Sequence, residues 1–214
     1  MLRTREKVVI MPTAPGMIRP FHPSDLPALY RICLLTGEAG GDATTLYRDP
    51  DLLGHLYAGP YPVADPGLTF VVVDELGPAG YIVATADTDR FEQWLEHQWW
   101  PTLRTRYPVR EDPHDGTEDH VLVGRIHEWA AADDSLFDRF PAHMHIDLLP
   151  RAQGLGLGRR LIETLAAALR DRGVPGLHLG VDSRNEGAIA FYTRVGFTEA
   201  ARHDWGRTLT LDLT

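Results

Sequence analysis

Glycines stand at alternate positions, Gly154, Gly156 and Gly158, in the run Leu149-Pro150-Arg151-Ala152-Gln153-Gly154-Leu155-Gly156-Leu157-Gly158-Arg159. Lacking side chains, they let backbone N–H groups turn outward and approach a ligand closely. The run follows an expected strand and opens an expected helix, whose N-terminus carries a partial positive charge of about half an electron. Such a turn can cradle a diphosphate, and Arg151, Arg159 and Arg160 can serve further phosphates. A plain strand-to-helix turn could use the same glycines. Two named phosphate loops are excluded. The Walker loop needs Gly-Lys-Ser/Thr where this chain has Gly158-Arg159-Arg160, and the dinucleotide fingerprint GxGxxG is replaced by GxGxG with no acidic residue over 174–178.

Other side chains with chemical capacity lie on either side of this loop. His143, His145 and Asp147 alternate with Met144, Ile146 and Leu148. If the apolar set faces the core, the polar set shares the opposite face, as an acceptor wall or as ordinary hydrogen-bonded strand residues. His143-x-His145 could be paired metal ligands, but no convincing third ligand follows, so no metal is expected. Asp182 is a further carboxylate, and Tyr192 shares a helix face with Ala188 and Val195, as a core aromatic or as a phenol turned to chemistry. Glu111, Asp112, Asp115, Glu118 and Asp119 form an acidic run that could draw in a basic molecule or simply be solvated.

The elements that must position these groups can be read from pattern. A short strand over 17–20 precedes a helix opened by Ser24-Asp25, with Ser24 as N-cap and Leu26, Leu29, Tyr30 and Cys33 as its apolar stripe. Residues 36–66 read as loop with one short helix over 52–57. Strands over 68–73 and 80–85 form a hairpin broken at Glu75-Leu76-Gly77-Pro78. Residues 91–140 carry Trp94, Trp99, Trp100 and Trp129, four of the five tryptophans, so this insertion should cover one wall of an acceptor site, pack into the core, or both, with short helices over 91–99, 100–107 and 118–127. A strand over 143–149 leads into the glycine turn. A helix over 158–172 carries Leu161, Leu165 and Leu169 and is closed by Gly173, a strand over 177–181 follows, then a helix over 186–195 ended by Gly196, and a last strand over 208–213. This alternation is α/β. Residues 1–16 read as a tail and 17–214 as a single domain with the insertion at 91–140.

Composition narrows the function classes. The 214 residues include 43% hydrophobic and 24% charged, which fits a folded chain. A formal net charge of −9 disfavours broad nucleic-acid binding. No apolar run approaches the ~20 residues of a membrane helix, and the first residues lack the apolar stretch of a signal peptide. One cysteine, Cys33, precludes an internal disulfide and fits a reducing, cytoplasmic setting.

Two of these motifs carry a resemblance. Arg151-x-x-Gly154-x-Gly156, after a strand ending in Leu148-Leu149-Pro150, resembles the acetyl-CoA loop of the GNAT superfamily of N-acetyltransferases. Asn185-x-x-Ala188-x-x-x-Tyr192-x-x-x-Gly196-Phe197 resembles that superfamily's second signature, and Ile18-Arg19-Pro20 with Asp25 is similar to its first strand and helix. Tyr30-Arg31-Ile32-Cys33, Asp49-Pro50-Asp51-Leu52-Leu53-Gly54 and Gly80-Tyr81 resemble the acetyltransferase-like C-terminal domain of O-GlcNAcases and its bacterial homologues. The animal members of that group have a degraded glycine loop; this chain keeps the glycines.

The resemblance implies a GNAT fold: a central mixed, mostly antiparallel twisted sheet of about seven strands flanked by helices, with the helical Trp-rich insertion placed before the glycine-loop strand. It implies acetyl-CoA as cosubstrate and direct attack by an amine in a ternary complex. Leu148 and Leu149 would pair with the pantetheine arm and polarise the thioester carbonyl through a backbone N–H. Arg151, Gln153, Gly154, Leu155, Gly156, Gly158 and Arg159 would hold the pyrophosphate. Asn185 and Ala188 would bond the pantetheine or support the helix that follows, and Tyr192 would be the general acid. Several relatives carry a glutamate base one residue before the valine of the fifth strand, where this chain has Gly180. The base is therefore sought among Asp147, Asp182 and His145. The acceptor is an amine of open identity: protein lysine, α-amine, aminosugar or small amine. A monomer and a homodimer both remain open. A non-catalytic acetyl-CoA-binding or interaction module is the alternative, and a nucleotide-phosphate enzyme, lacking the Walker lysine, is third.

Overall fold

The computed structural model describes residues 16–109, 116–128 and 135–214. The tail over 1–15, Glu111, Asp112, Asp115 and Trp129 fall outside them. Strands β1 (Met17–Pro20), β2 (Thr69–Asp74), β3 (Gly77–Thr85), β4 (Ala142–Leu148), β5 (Gly176–Asp182), β6 (Thr198–Arg202) and β7 (Gly206–Asp212) form one sheet in the order β1-β2-β3-β4-β5-β7-β6. Every neighbouring pair is antiparallel except β4 with β5. The helices are α1 (Leu26–Thr36), α2 (Leu52–Tyr57), α3 (Pro60–Ala64), α4 (Thr88–Trp94), α5 (Trp100–Arg106), α6 (Asp119–His127), α7 (Leu136–Arg139), α8 (Leu157–Asp171) and α9 (Glu186–Arg194). The expected α/β sheet flanked by helices is what the chain forms.

Strand alternation divides the core into two layers. Val72, Ile82, Ala84, Met144 and Leu177 face α8, where Leu161, Leu165 and Leu169 are fully buried. Val71, Tyr81 and Val83 face the other way, onto Leu29 and Ile32 of α1, Leu52 of α2, Trp100 of α5 and Ile126 of α6. Each fully buried leucine contributes about 1.5–3 kcal/mol relative to exposure. The insertion adds Phe91, Leu95, Trp100, Leu103, Leu122 and Ile126 to this layer, whose larger share comes from α1 and the segment that follows it.

Local chemistry explains where the elements depart from expectation. Ser24 does not cap α1. A 3-10 turn, Pro23–Asp25, precedes the helix, with the His22 ring accepting from the Ser24 amide at 3.3 Å and Asp25 accepting from the His22 amide at 2.9 Å. Arg19 grips the same carboxylate at 2.6 and 2.7 Å, and its guanidinium holds Asp25 below the usual carboxylate range. A π-helical turn, Leu95–Trp99, joins α4 to α5, and the Trp100 amide bonds back to the Leu95 carbonyl. Pro101 follows it with no amide to donate. β6 was not foreseen, because the edge sequence Thr-Glu-Ala-Ala-Arg is mostly exposed and has no apolar alternation. Among the described residues no helix is long and apolar enough to cross a membrane.

Candidate active site

β4 and β5 pair in parallel at Ala142–Leu177 and His143–His178 and part beyond. β4 is paired on its other edge from Gly80–Leu148 to Thr85–His143, and β5 is paired with β7 along its whole length. The divergence leaves one edge of each strand facing a wedge-shaped gap. Buried backbone groups without partners are costly, so this gap is an opening suited to an extended polar chain.

The glycine turn stands at the mouth of the gap. Gly154 and Gly156 have φ of 73° and 75°, the left-handed region that glycine enters without a Cβ penalty. Among the described residues, the amides of 154–159 make no backbone hydrogen bond, whereas those of 152, 153 and 160 do. Six consecutive unpaired N–H groups at the head of the long helix α8 suit a diphosphate. Gly158 packs tightly: a Cβ there would lie 3.1 Å from the Phe191 ring. Leu155 is exposed at the tip.

The side chains around the turn are less free than their charges suggested. Arg151 donates to Asp74 at 2.7 Å and to the Pro78 carbonyl at 3.0 Å, tying the turn to the β2–β3 hairpin. Arg159 donates to the Arg194 carbonyl at the end of α9. The Gln153 amide group donates to the Leu148 carbonyl at 2.8 Å. The Leu149 amide is spent on the Ala79 carbonyl at 2.9 Å, which leaves Leu148 as the residue of this pair beside the gap. Asn185 caps α9 by accepting from the Ala188 amide at 3.0 Å, the supporting role rather than a free side chain.

β4 presents its polar set as the alternation requires: Met144, Ile146 and Leu148 pack on the α8 side, and His143, His145 and Asp147 lie on the other. Asp147 accepts from the Tyr81 hydroxyl at 2.5 Å. Burial pushes its carboxyl up to about 6, against hydrogen bonds from Tyr81 and Thr36 that pull it down. Tyr81 was missed as a site residue, although the β3–β4 register sets it directly opposite Asp147. His143 is consumed, its ring shared with Tyr61 at 2.9 Å and Thr88 at 2.8 Å. His145 touches the Tyr57 and Tyr61 rings edge-on and is pushed down to about 4 by burial, so it is neutral near pH 7. Asp182 is clamped by Arg184, at 2.7 Å from its amide and 2.9 Å from its guanidinium, and is held below the usual range. A carboxylate so held is a weak base.

Tyr192 is buried among Phe191 and Phe197, with ring centroids 5.4 Å away in each case. Burial, and then the Asp147 charge, raise its phenol above the ordinary tyrosine range. The ring is therefore part of the core, while its hydroxyl lies within electrostatic reach of Asp147. No group of three metal-ligating side chains occurs among the described residues.

On the face opposite α8, a cavity of about 400 Å³ opens between β4, β5 and the insertion. Its wall includes His145, Gly180, Tyr57, Tyr61, Phe91 and Trp205. Sequence reasoning singled out Gly180 only as a missing glutamate. A Cβ there would lie 3.0 Å from the Trp205 indole, which covers the place a longer side chain would occupy. That contact joins residues far apart in sequence, and no local signal announces it.

Comparison with known proteins places this geometry. A sequence profile of the acetyltransferase (GNAT) family matches residues 28–197. The protein O-GlcNAcase of Rattus norvegicus is 23% identical over 186 residues, covering 86% of this chain but 20% of that protein, so the chain spans a fifth of that relative's length. A crystal structure of SsHAT superposes with a TM-score of 0.87 at 38% identity, covering 94% of this chain and 100% of that one. The structure of yncA, a putative acetyltransferase from Salmonella typhimurium with its cofactor acetyl-CoA, shares the fold at 19% identity, with a TM-score of 0.54 and coverage of 94% and 95%.

Proposed function

This chain belongs to the acetyltransferase (GNAT) family, and from that premise we propose that it transfers the acetyl group of acetyl-CoA to an amine. The observation that carries the proposal is the conjunction of six unpaired amides, in the glycine turn and the first turn of α8, with a parted pair of parallel strands. The amides of 154–159 grip the diphosphate, and the free edge of β4 pairs with the pantetheine arm as a strand would. The Leu148 backbone lies beside the thioester, where an N–H polarises its carbonyl.

Asp147 is the base. At about 6 its carboxyl is ionised at neutral pH yet basic enough to relieve an ammonium of its proton, a better match than His145 at about 4 or Asp182 in its arginine clamp. The amine nitrogen forms the new C–N bond and the C–S bond breaks. The nitrogen sheds a proton toward Asp147, and the departing sulfur receives one from Tyr192. Burial keeps the Tyr192 phenol protonated, which supports its role as the proton donor in this reading. Tyr81 holds Asp147 in place as a positioning residue.

The test is coenzyme A release with a panel of amines, alongside acetyl-CoA binding by calorimetry. Wild-type protein should bind acetyl-CoA and release coenzyme A with at least one amine. Tyr192→Phe should bind equally and turn over more slowly. Binding without turnover on every amine would favour the non-catalytic module, the reading that Gly180 left open.

A further inference from the structure

The cavity opposite α8 has a composition that selects among amines. Its rings are Tyr57, Tyr61, Phe91, Trp100, Phe137 and Trp205. Several polar groups in its wall are engaged with neighbours, and the buried Glu92 adds a carboxylate to that wall. The Tyr57 hydroxyl accepts from Arg125, Tyr61 and Thr88 share the His143 ring, and the His178 Nδ1–H donates to the Phe140 carbonyl at 2.7 Å. Against these rings a polyhydroxylated acceptor would find few partners, at about 1–3 kcal/mol for each hydroxyl left unpaired. His145 is different. Its ring nitrogens have no hydrogen-bond partner among the described residues, and it faces the cavity two residues before Asp147, about 7 Å along the strand. His145 in the cavity wall and Asp147 therefore share one face of β4.

Trp205 fixes the shape of that chamber. It is 57% exposed, stacks on His203 with centroids 4.9 Å apart and planes 2° from parallel, and sets the Cη2 and Cζ3 atoms of its indole beside Gly180. The missing Cβ at 180 makes room for the indole beside β5. An exposed tryptophan immobilised at the rim of an apolar chamber is a shelf for another ring, since aromatic pairs gain from offset or edge contact beyond area burial. A volume near the low end of small-molecule sites, about 300–1,000 Å³, suits one ring with a short arm.

We propose that the acceptor is an arylalkylamine, a primary amine on a short alkyl arm, whose ring rests against Trp205 and whose nitrogen extends past His145 toward Asp147. Trp205 and Gly180 together set this selectivity. The proposal rests on the acetyl-transfer reading and deepens it.

The experiment is steady-state coenzyme A release by the full chain with phenethylamine, hexylamine, glucosamine and a lysine-containing peptide, with acetyl-CoA binding measured in parallel. Phenethylamine should have the highest kcat/KM. Trp205→Ala should lower that value about tenfold, mainly through KM, with a smaller loss on hexylamine, and Trp205→Phe should recover most of it. Gly180→Ala, which crowds the indole, should lower it too. Preference for glucosamine, hexylamine or the peptide overturns the proposal while leaving acetyl transfer standing. An equal loss on every amine in Trp205→Ala also overturns it. If acetyl-CoA binds and no amine is turned over, the transfer reading fails and takes this proposal with it.

Discussion

The two sides of the β4–β5 gap are built by opposite means. Toward α8 the ligand surface is backbone: six amides, two left-handed glycines and a strand edge, with Arg151, Arg159 and Gln153 spent on internal bonds. Toward the insertion it is side chains: aromatic rings, a neutral imidazole and a carboxylate held by Tyr81. A backbone surface suits a ligand that never changes, because most substitutions leave amides in place. A side-chain surface can be respecified one residue at a time. The contrast teaches that the glycine-turn half declares the family, whereas the cavity half, on the proposed reading, declares the individual protein.

The sharpest way to break this contrast is Asp147→Asn. It should lower kcat/KM by about 10²–10⁴ and abolish the rise in rate with pH through about 6, with acetyl-CoA affinity retained; pH–rate profiles beside calorimetry read both. Next in size is Gly156→Val. A β-branched residue at φ 75° strains the turn, so the Kd for acetyl-CoA should rise by about tenfold or more, whereas Leu155→Ala, which alters only an exposed side chain, should leave it nearly unchanged. If Leu155→Ala weakens binding as much as Gly156→Val, the backbone account of that side is wrong. Leu165→Ala should cost about 2–5 kcal/mol in denaturant unfolding, while the exposed Trp205→Ala should cost about 0.5 kcal/mol or less.

A smaller effect separates the sides by pH. His143 and His145 have folded values below the ordinary 6.5, with His145 at about 4. Between those limits the unfolded chain binds more protons, so their contribution to stability is present above 6.5 and is lost as pH falls toward 4. Asp147, raised from 3.8 to about 6, acts with opposite sign, and its proton uptake favours the fold as pH falls through that range. His145→Gln should therefore flatten the loss of stability between about pH 7 and about pH 5, as read from denaturant midpoints. An unchanged slope would remove His145 from the buried neutral set.

Much of the fold could be read from local pattern, because local pattern is what made it. The leucine stripe of α8, the alternation of β4 and the glycine stops at 173 and 196 each concern neighbours within a few residues. The polar face of His143, His145 and Asp147 followed from period alone. What escaped was either weakly patterned or long-range. β6 lacks alternation, Ser24 does not cap α1 because a 3-10 turn with its own cap at His22 intervenes, and Trp205 reaches Gly180 from the turn before β7. Tyr81 beside Asp147 lay between these cases, since aligning the two strands would have revealed it.

The sheet is in effect two smaller sheets, β1–β4 and β5–β7, hinged on two residue pairs. Amides along the inner margin of β4 have no neighbouring strand to shield them, so deuterium should enter there before it reaches β3 or β7. A bound thioester arm would close that margin as an inserted rung and slow the uptake. Ligand affinity and the mechanical unity of the molecule would then be one quantity, measured at a single seam.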